Sequence, residues 1–457
     1  MKRLALPALL LGAALLLTAC SQTPPPPSPP ASCAPTPQGL ASQGLPPEPE
    51  GLGDFSAPHV PGELLVLPGG ITPQALAGRV EGVGLAGSLP GGFLRVRVSP
   101  GEEAAKAAAL LRAGARWVQP NYLYRPLFTP NDPLYPADPL DASRLQPYYQ
   151  AIRLEAAWDL LGPLPCTPVV AVLDTAFNPG HPDLQPNLLP GRNLTPDGLA
   201  PEDLSPSPPP QGYAYEEVGE ADHGQGVAGL VAAVAGNNQG IPGVGLNRVK
   251  VLPLKVFYWV GGSYTSTSAV LADALRYAAD QGAAVANLSL GASTPLDVAV
   301  RQALGYALSK GTLPVAASGN EGTDGLYYPA AYPGVLAVGS AKLDGTRSDF
   351  SNYSTQPTDL VLAAAGNRNP PQTLWSLALG QNYAKWFGTS FAAPQASALA
   401  ALYVAKHYAR YGRGPSPDQI RLCLTRTASN GGSYDPQTGY GLLRADRVMT
   451  DTTYCFP

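Results

Sequence analysis

Three side chains set the chemical question. Asp174 closes the apolar run 169–173, His223 stands in Asp222-His223-Gly224-Gln225-Gly226-Val227-Ala228-Gly229, and Ser390 stands in Gly388-Thr389-Ser390-Phe391-Ala392-Ala393-Pro394. Each alone has an ordinary explanation: a turn-capping aspartate, a structural histidine, a serine at a helix N-cap. Together they are what attack on a carbonyl by a hydroxyl requires. The serine is the nucleophile, the imidazole takes its proton, and the carboxylate holds the imidazole in the accepting tautomer. A fourth part is Asn320 in Ser318-Gly319-Asn320-Glu321, directly after the apolar run 313–317. A side-chain amide at a strand end can donate to the negative oxygen that develops during acyl transfer.

These groups need a scaffold that brings distant positions together. The runs 169–173, 249–256, 284–288, 313–317 and 335–339 are mostly apolar rather than alternating, broken only by Lys250, Lys255 and Asn287, the pattern of strands buried on both faces. Helical patterns lie between and after them, at 226–235, 267–281, 296–309 and 389–405. The expected fold class is therefore α/β, an open, mainly parallel sheet with helices on both faces. Active groups in such sheets collect at the carboxyl ends of the strands, which is where Asp174 and Asn320 fall.

At 457 residues the chain exceeds what one core can fill, and its composition divides it. Lys2 and Arg3, a short apolar run and Leu17-Thr18-Ala19-Cys20 have the form of an export signal, too short to span a bilayer. A cysteine directly after small residues resembles the bacterial lipoprotein signal, in which Cys20 is lipidated and becomes the mature N-terminus. Residues 20–61 carry thirteen prolines and few bulky apolar side chains, and read as an extended tether. Order returns at 62–127. Strands are expected at 63–67, 93–98 and near 116–118, and Ser99-Pro100-Gly101-Glu102 reads as a capping box opening an Ala/Leu-rich helix. This α+β segment contains Gly82-Val83-Gly84-Leu85-Ala86-Gly87, which matches G-x-G-x-x-G. The match is rejected as a dinucleotide site, because a helix-like stretch precedes it and a strand follows, so a turn-rich connection is expected there. With a net charge of -4 there is no electrostatic case for nucleic acid. Cys33, Cys166, Cys423 and Cys455 remain after Cys20; their spacing matches no zinc pattern, and an oxidising compartment leaves three disulfide pairings open.

Residues 128–457 resemble a subtilisin-like serine protease of the subtilase family, nearest the thermitase type. The family signatures Asp-Thr-Gly, His-Gly-Thr-His-Val-Ala-Gly, Ala-Gly-Asn and Gly-Thr-Ser-Met-Ala-x-Pro correspond to the segments at Asp174, His223, Asn320 and Ser390. The resemblance implies a serine endopeptidase in which Ser390 forms the acyl-enzyme, His223 is the general base, Asp174 orients it and Asn320 lines the oxyanion hole. It further implies substrate binding along Ser289, Leu290 and Gly291, with Gly319 and Glu321 beside the primary specificity pocket. A structural calcium would be held by Asp132, Asp183 and Asn237 with carbonyls of Val234, Gln239 and Ile241, and no second site is expected at 195–211, a proline-rich insertion. Residues 62–127 resemble the ferredoxin-like subtilase propeptide, an intramolecular chaperone and inhibitor, with processing between about Tyr124 and Thr129. The implied product is an exported, lipid-anchored precursor and an extracellular or periplasmic enzyme acting on proteins or peptides. Three departures stand out: Ala176 for glycine, Gln225-Gly226 for Thr-His, and Phe391 for methionine. The first two motivate an alternative, a catalytically silent peptide-binding lipoprotein on the same fold.

Overall fold

The computed structural model describes residues 50–55, 59–89, 92–122, 130–135, 146–209, 221–260, 263–294 and 297–457. They fall into two compact units on either side of the Tyr124–Arg125 boundary. Cys20, Cys33 and the expected processing region lie outside the described residues.

The first unit runs β1 (Gly51–Leu52), β2 (His59–Pro68), α1 (Pro73–Gly78), β3 (Gly84–Ser88), β4 (Leu94–Arg97), α2 (Glu103–Arg112) and β5 (Ala115–Tyr122), with sheet order β1-β5-β2-β4-β3. Apart from β1, this is the ferredoxin-like βαββαβ arrangement. Alternate strand residues, among them Leu64, Val66, Leu94, Val96 and Val118, bury one sheet face against Leu76 of α1 and Ala107 and Leu110 of α2. Three local expectations are corrected. The sheet begins inside the stretch read as tether, because Gly51 and Leu52 pair with Trp117 and Val118 through backbone alone, which composition does not reveal. Residues 84–88 of the glycine-rich stretch form a strand, not a turn-rich connection, although neither a preceding strand nor a following helix makes it a nucleotide loop. Finally, α2 starts at Glu103 rather than Pro100, since Gly101 is left-handed (φ 90°). The Glu103 carboxylate instead accepts from the N–H groups of Gly62 and Gly101.

The second unit opens with α3 (Pro147–Ala151) and α4 (Leu154–Asp159) and continues with β6 (Val169–Asp174), β7 (Arg192–Asn193), α5 (His223–Ala232) and β8 (Lys250–Lys255). The hairpin β9 (Tyr258–Val260) and β10 (Ser263–Thr265) follows, then α6 (Ser268–Asp280), β11 (Val285–Leu288), α7 (Val298–Ser309), β12 (Leu313–Ala317), β13 (Leu336–Ala341) and β14 (Leu360–Ala364). A second hairpin, β15 (Leu374–Ala378) and β16 (Asn382–Trp386), leads into α8 (Thr389–Tyr411), α9 (Pro417–Thr427) and α10 (Ala445–Val448). Seven strands form one parallel sheet in the order β14-β13-β12-β11-β6-β8-β7. Successive side chains feed opposite faces: Val170 and Val172 join the core under α5 and α8, Ala171 and Leu173 the core under α6 and α7. Cys423 and Cys455 form a disulfide, fastening the C-terminal tail to α9, and among the described residues Cys166 carries a free thiol.

Candidate active site

The carboxyl edge of the sheet gathers the expected groups. Asp174, the last residue of β6, is fully buried, and its Oδ1 accepts from the Thr175 N–H (2.8 Å) and from His223 Nδ1 (2.7 Å). With the proton on Nδ1, Nε2 is the basic nitrogen. His223 is the first residue of α5, and the start of that helix is fixed by Thr175, whose hydroxyl accepts from the Gly224 N–H (2.8 Å) and donates to the Ala221 carbonyl (3.0 Å).

Ser390 is the second residue of α8. Pro394 has no N–H to offer the Ser390 carbonyl four residues back, and the Ser289 hydroxyl fills that gap, donating to it at 2.6 Å. The Ser289 hydroxyl accepts in turn from Asn287 Nδ2 (3.0 Å), and Asn287 Oδ1 accepts from Ser397 Oγ (2.8 Å). This buried chain ties the end of β11 to α8. The Ser390 hydroxyl donates to the Ser289 carbonyl (3.2 Å), so it must leave that oxygen to pass its one proton to an imidazole.

Asn320 stands on a turn that only glycine permits at the preceding position: Gly319 has φ 113°, and a Cβ there would collide with the Asn352 side chain. Asn352 Oδ1 holds the far side of this turn, accepting from the Glu321 N–H (2.9 Å). Asn320 Oδ1 accepts from both the N–H (3.0 Å) and the hydroxyl (2.9 Å) of Thr389, which leaves its amide N–H groups to donate elsewhere. Asn320, His223 and Ser390 line one cleft of about 560 Å³ with Leu290, Gly291, Trp386 and Phe391. A smaller cavity of about 130 Å³ lies beside it, lined by Leu290, Gly291, Gly319, Glu321, Tyr327 and Ser390 among others. There the Asn320 N–H donates to Glu321 Oε2 (2.9 Å), and desolvation together with the Glu321 carboxylate raises the Tyr327 hydroxyl above its ordinary range.

The departures are accommodated. Ala176 is buried without a left-handed backbone, so glycine is not required there. Gln225 is buried and accepts from the Asn178 N–H (2.8 Å). The space a side chain at Gly226 would take is occupied by Trp386 and Phe391.

The expected calcium ligands also converge. Asp132 Oδ2 accepts from the Gly236 N–H (2.8 Å), and Asp183 Oδ1 accepts from Asn237 Nδ2 (2.7 Å), while Asp132 Oδ1 and Asp183 Oδ2 are buried without a donor. Burial, reinforced by Asp132, pushes Asp183 up to about 7, and burial raises Asp132 as well. Among the described residues no group of three or more His, Cys, Asp or Glu could hold a metal ion, so a cation here would rest on two carboxylates plus neutral oxygens. Asn237 offers Asp183 its nitrogen, and its Oδ1 accepts from the Gln239 N–H (2.9 Å). Val234 gives its N–H to the Asp183 carbonyl (2.8 Å). Two buried oxygens lacking donors at facing carboxylates suit a hard cation.

In the proline-rich insertion, Asp197 meets the buried Lys255 ammonium at 2.7 Å. It also accepts from Ser207 Oγ, Asn193 Nδ2 (3.0 Å) and the Leu199 N–H (3.1 Å). Burial works against the charge, yet the bonds from Lys255, Ser207 and Asn193 hold Asp197 well below the usual carboxylate range. Ser397, Asn352, Tyr327 and Trp386 escape the sequence reading, and the bonds made by Thr389 and Asn287 do too, because their partners are fixed by the fold and not by a local motif.

Comparison with known proteins follows the same lines. Residues 167–442 match the model of the subtilase family of peptidases. A thermophilic serine proteinase of Bacillus sp. strain AK1 is 30% identical over 73% of this chain and 72% of its own length. Thermitase of Thermoactinomyces vulgaris is 31% identical over 66% of this chain and 92% of its own. Among solved structures, a protease of Pseudoalteromonas arctica PAMC 21717 superposes with a TM-score of 0.56 at 28% identity, covering 70% of this chain and 99% of that one.

Proposed function

The chain belongs to the subtilase family and is a serine endopeptidase, and from that premise we propose that Ser390 is its nucleophile, His223 its general base, Asp174 the orienting carboxylate and Asn320 an oxyanion donor. The observation that carries this assignment is the 2.7 Å bond from His223 to a buried Asp174, facing Ser390 and Asn320 across one cleft. Ser390 Oγ attacks the scissile carbonyl as His223 Nε2 takes its proton. The oxygen that becomes negative receives hydrogen bonds from Asn320 Nδ2 and from the Ser390 N–H, a first-turn amide of α8 with no intrahelical acceptor. Collapse breaks the C–N bond, His223 protonates the departing amine, and water repeats the sequence to release the acyl group.

Ser289, Leu290 and Gly291 are suited to pair with an extended substrate backbone, a mode indifferent to side chains. Gly319 and Glu321 border the small cavity, whose carboxylate favours a basic residue before the scissile bond. Calcium would be held by Asp132 and Asp183, with Asn237 once its amide turns and carbonyls of Val234, Gln239 and Ile241. Its contribution is structural, neutralising two buried carboxylates and fixing the loops that carry them. Residues 62–127 act as inhibitor and folding aid, and the precursor is exported and anchored through a lipid on Cys20. Their removal near residues 124–129 separates protease from both.

Covalent labelling by an active-site serine reagent tests the core of this reading. Label on Ser390 in wild type, lost in Ser390→Ala, supports it, and folded, processed wild type that takes no label would overturn it. Ser390→Ala should also accumulate as a full-length membrane-bound precursor. Mature wild-type enzyme that stays in the membrane fraction after reduction and a salt wash would refute release.

A further inference from the structure

We infer that Trp386 and Phe391 are positioning residues for His223, and that the missing side chain at Gly226 is what admits them. The inference rests on the assignment of His223 as general base. Gly226 lies three residues after His223 on α5, hence on the same helix face. A Cβ at Gly226 would lie 3.0 Å from Trp386 Cε2, 3.1 Å from Phe391 Cε1 and 3.2 Å from Trp386 Nε1. The aromatic pair thus fills volume that even a methyl group would contest. The two rings stack at 4.9 Å with 25° between their planes, and Phe391 meets the imidazole edge-to-face at 5.2 Å and 64°.

This contact does something the Asp174 hydrogen bond cannot. A bond to Nδ1 fixes one corner of the imidazole but does not by itself set the tilt of the ring about that corner, on which the reach of Nε2 to the hydroxyl depends. Phe391 closes the tilt on one side, and Trp386, stacked behind it, keeps Phe391 from yielding. The arrangement is also in register with the nucleophile, since Trp386 ends β16 four residues before Ser390 and Phe391 directly follows Ser390. Gly226 and Phe391 are therefore one change seen at two positions, a small residue on α5 matched by large ones on β16 and α8. Trp386 and Phe391 line the larger cleft and do not border the small cavity at Glu321, so the wall stands by the departing amine that His223 protonates.

Gly226→Ala, Phe391→Leu, Trp386→Ala and the double variant Phe391→Leu/Trp386→Ala test this, with substrates that carry a chromogenic leaving group and no residue beyond the scissile bond. Each single variant should lose roughly 10- to 100-fold in kcat with KM within about twofold of wild type, as expected for a displaced reacting group. Phe391→Tyr should retain most of the wild-type kcat. The double variant should fall no further than the worse single one, because the two rings act as a unit. Gly226→Ala keeps the test open if the aromatic truncations do not fold, since it adds one methyl to an intact core. Variants with wild-type melting temperature and unchanged kcat, or losses confined to KM, would overturn the positioning role while leaving the protease assignment intact. An inert wild type would overturn that assignment and this inference with it.

Discussion

Two facing carboxylates sealed from solvent make the metal-free enzyme sensitive to rising pH from within. Burial and Asp132 push Asp183 up to about 7, against a reference of 3.8 for the free side chain. Between those limits the folded protein holds a proton that the unfolded chain has released, so folding stability is greatest below the lower value and falls as pH rises toward the upper one. The sign is opposite to that of a salt-bridged carboxylate. From pH 5 to pH 8 about two pKa units of this shift are traversed, worth about 3 kcal/mol. With an unfolding entropy of about 2 cal/mol/K per residue, a unit of this size should lose roughly 4 °C in melting temperature over that interval. A divalent cation removes the proton and the repulsion together, so calcium should flatten the slope. The assay is thermal unfolding of Ser390→Ala, which cannot digest itself, from pH 5 to 8 in calcium and in chelator. Subtracting the curves cancels groups that titrate away from the site. Asp183→Asn should flatten the chelated curve and abolish the calcium response. Coincident curves with and without calcium, or a chelated melting temperature that rises across this range, would refute the reasoning.

Three further outcomes are expected. Asn320→Ala should lower kcat roughly 100- to 1,000-fold with KM little changed; that range is the one measured for the oxyanion asparagine of subtilisin, a relative, and an unchanged kcat would remove Asn320 from the oxyanion hole. Glu321→Gln should reduce the preference for Lys or Arg over apolar residues before the scissile bond at low salt, and equal preference ratios in mutant and wild type would exclude a role for the charge. Lys255→Met leaves the Asp197 carboxylate buried without its cation and should cost about 3–5 kcal/mol in urea unfolding, most of it regained in Lys255→Met/Asp197→Leu; a single variant as stable as wild type would show that the pair is not coupled to folding.

The parts of the fold that could be read in advance are those in which one segment carries its own evidence. The runs leading to Asp174, Lys255, Leu288 and Ala317 are strands because apolar side chains dominate both of their faces, Lys250 and Asn287 being the polar exceptions within them, and each lies buried in the sheet. The groups proposed as catalytic stand out in the sequence because type, order and small-residue neighbours coincide at each one. The rest was hidden for specific reasons. The hairpin Leu374–Ala378 and Asn382–Trp386 stays hidden because its strands are short, Asn382 and Lys385 interrupt the second, and the hairpin packs on α5 and not on the sheet. Asn287 and Ser397 meet across 110 positions, so neither announces the other. The capping box at Ser99 has the right letters, but the backbone at Gly101 forbids the helix it would cap. Gly226 and Phe391 read as separate departures, and only their shared volume shows them to be compensating.

The helix that begins with Thr389-Ser390 is enclosed almost completely: Phe391 to Tyr403 are all buried, polar Gln395 and Ser397 included. An element enclosed on every side opens only with the molecule, whereas exposed loops fray at little cost. A sample of this enzyme therefore holds competent protease and locally opened, cleavable copies of itself at the same moment. Loss of activity on storage should follow encounters between molecules, so its initial rate should climb with the square of enzyme concentration and slow as loop-protecting ligands are added. A small, tight-binding inhibitor would then preserve the protein for reasons unrelated to thermal stability, by silencing the attackers rather than bracing the attacked.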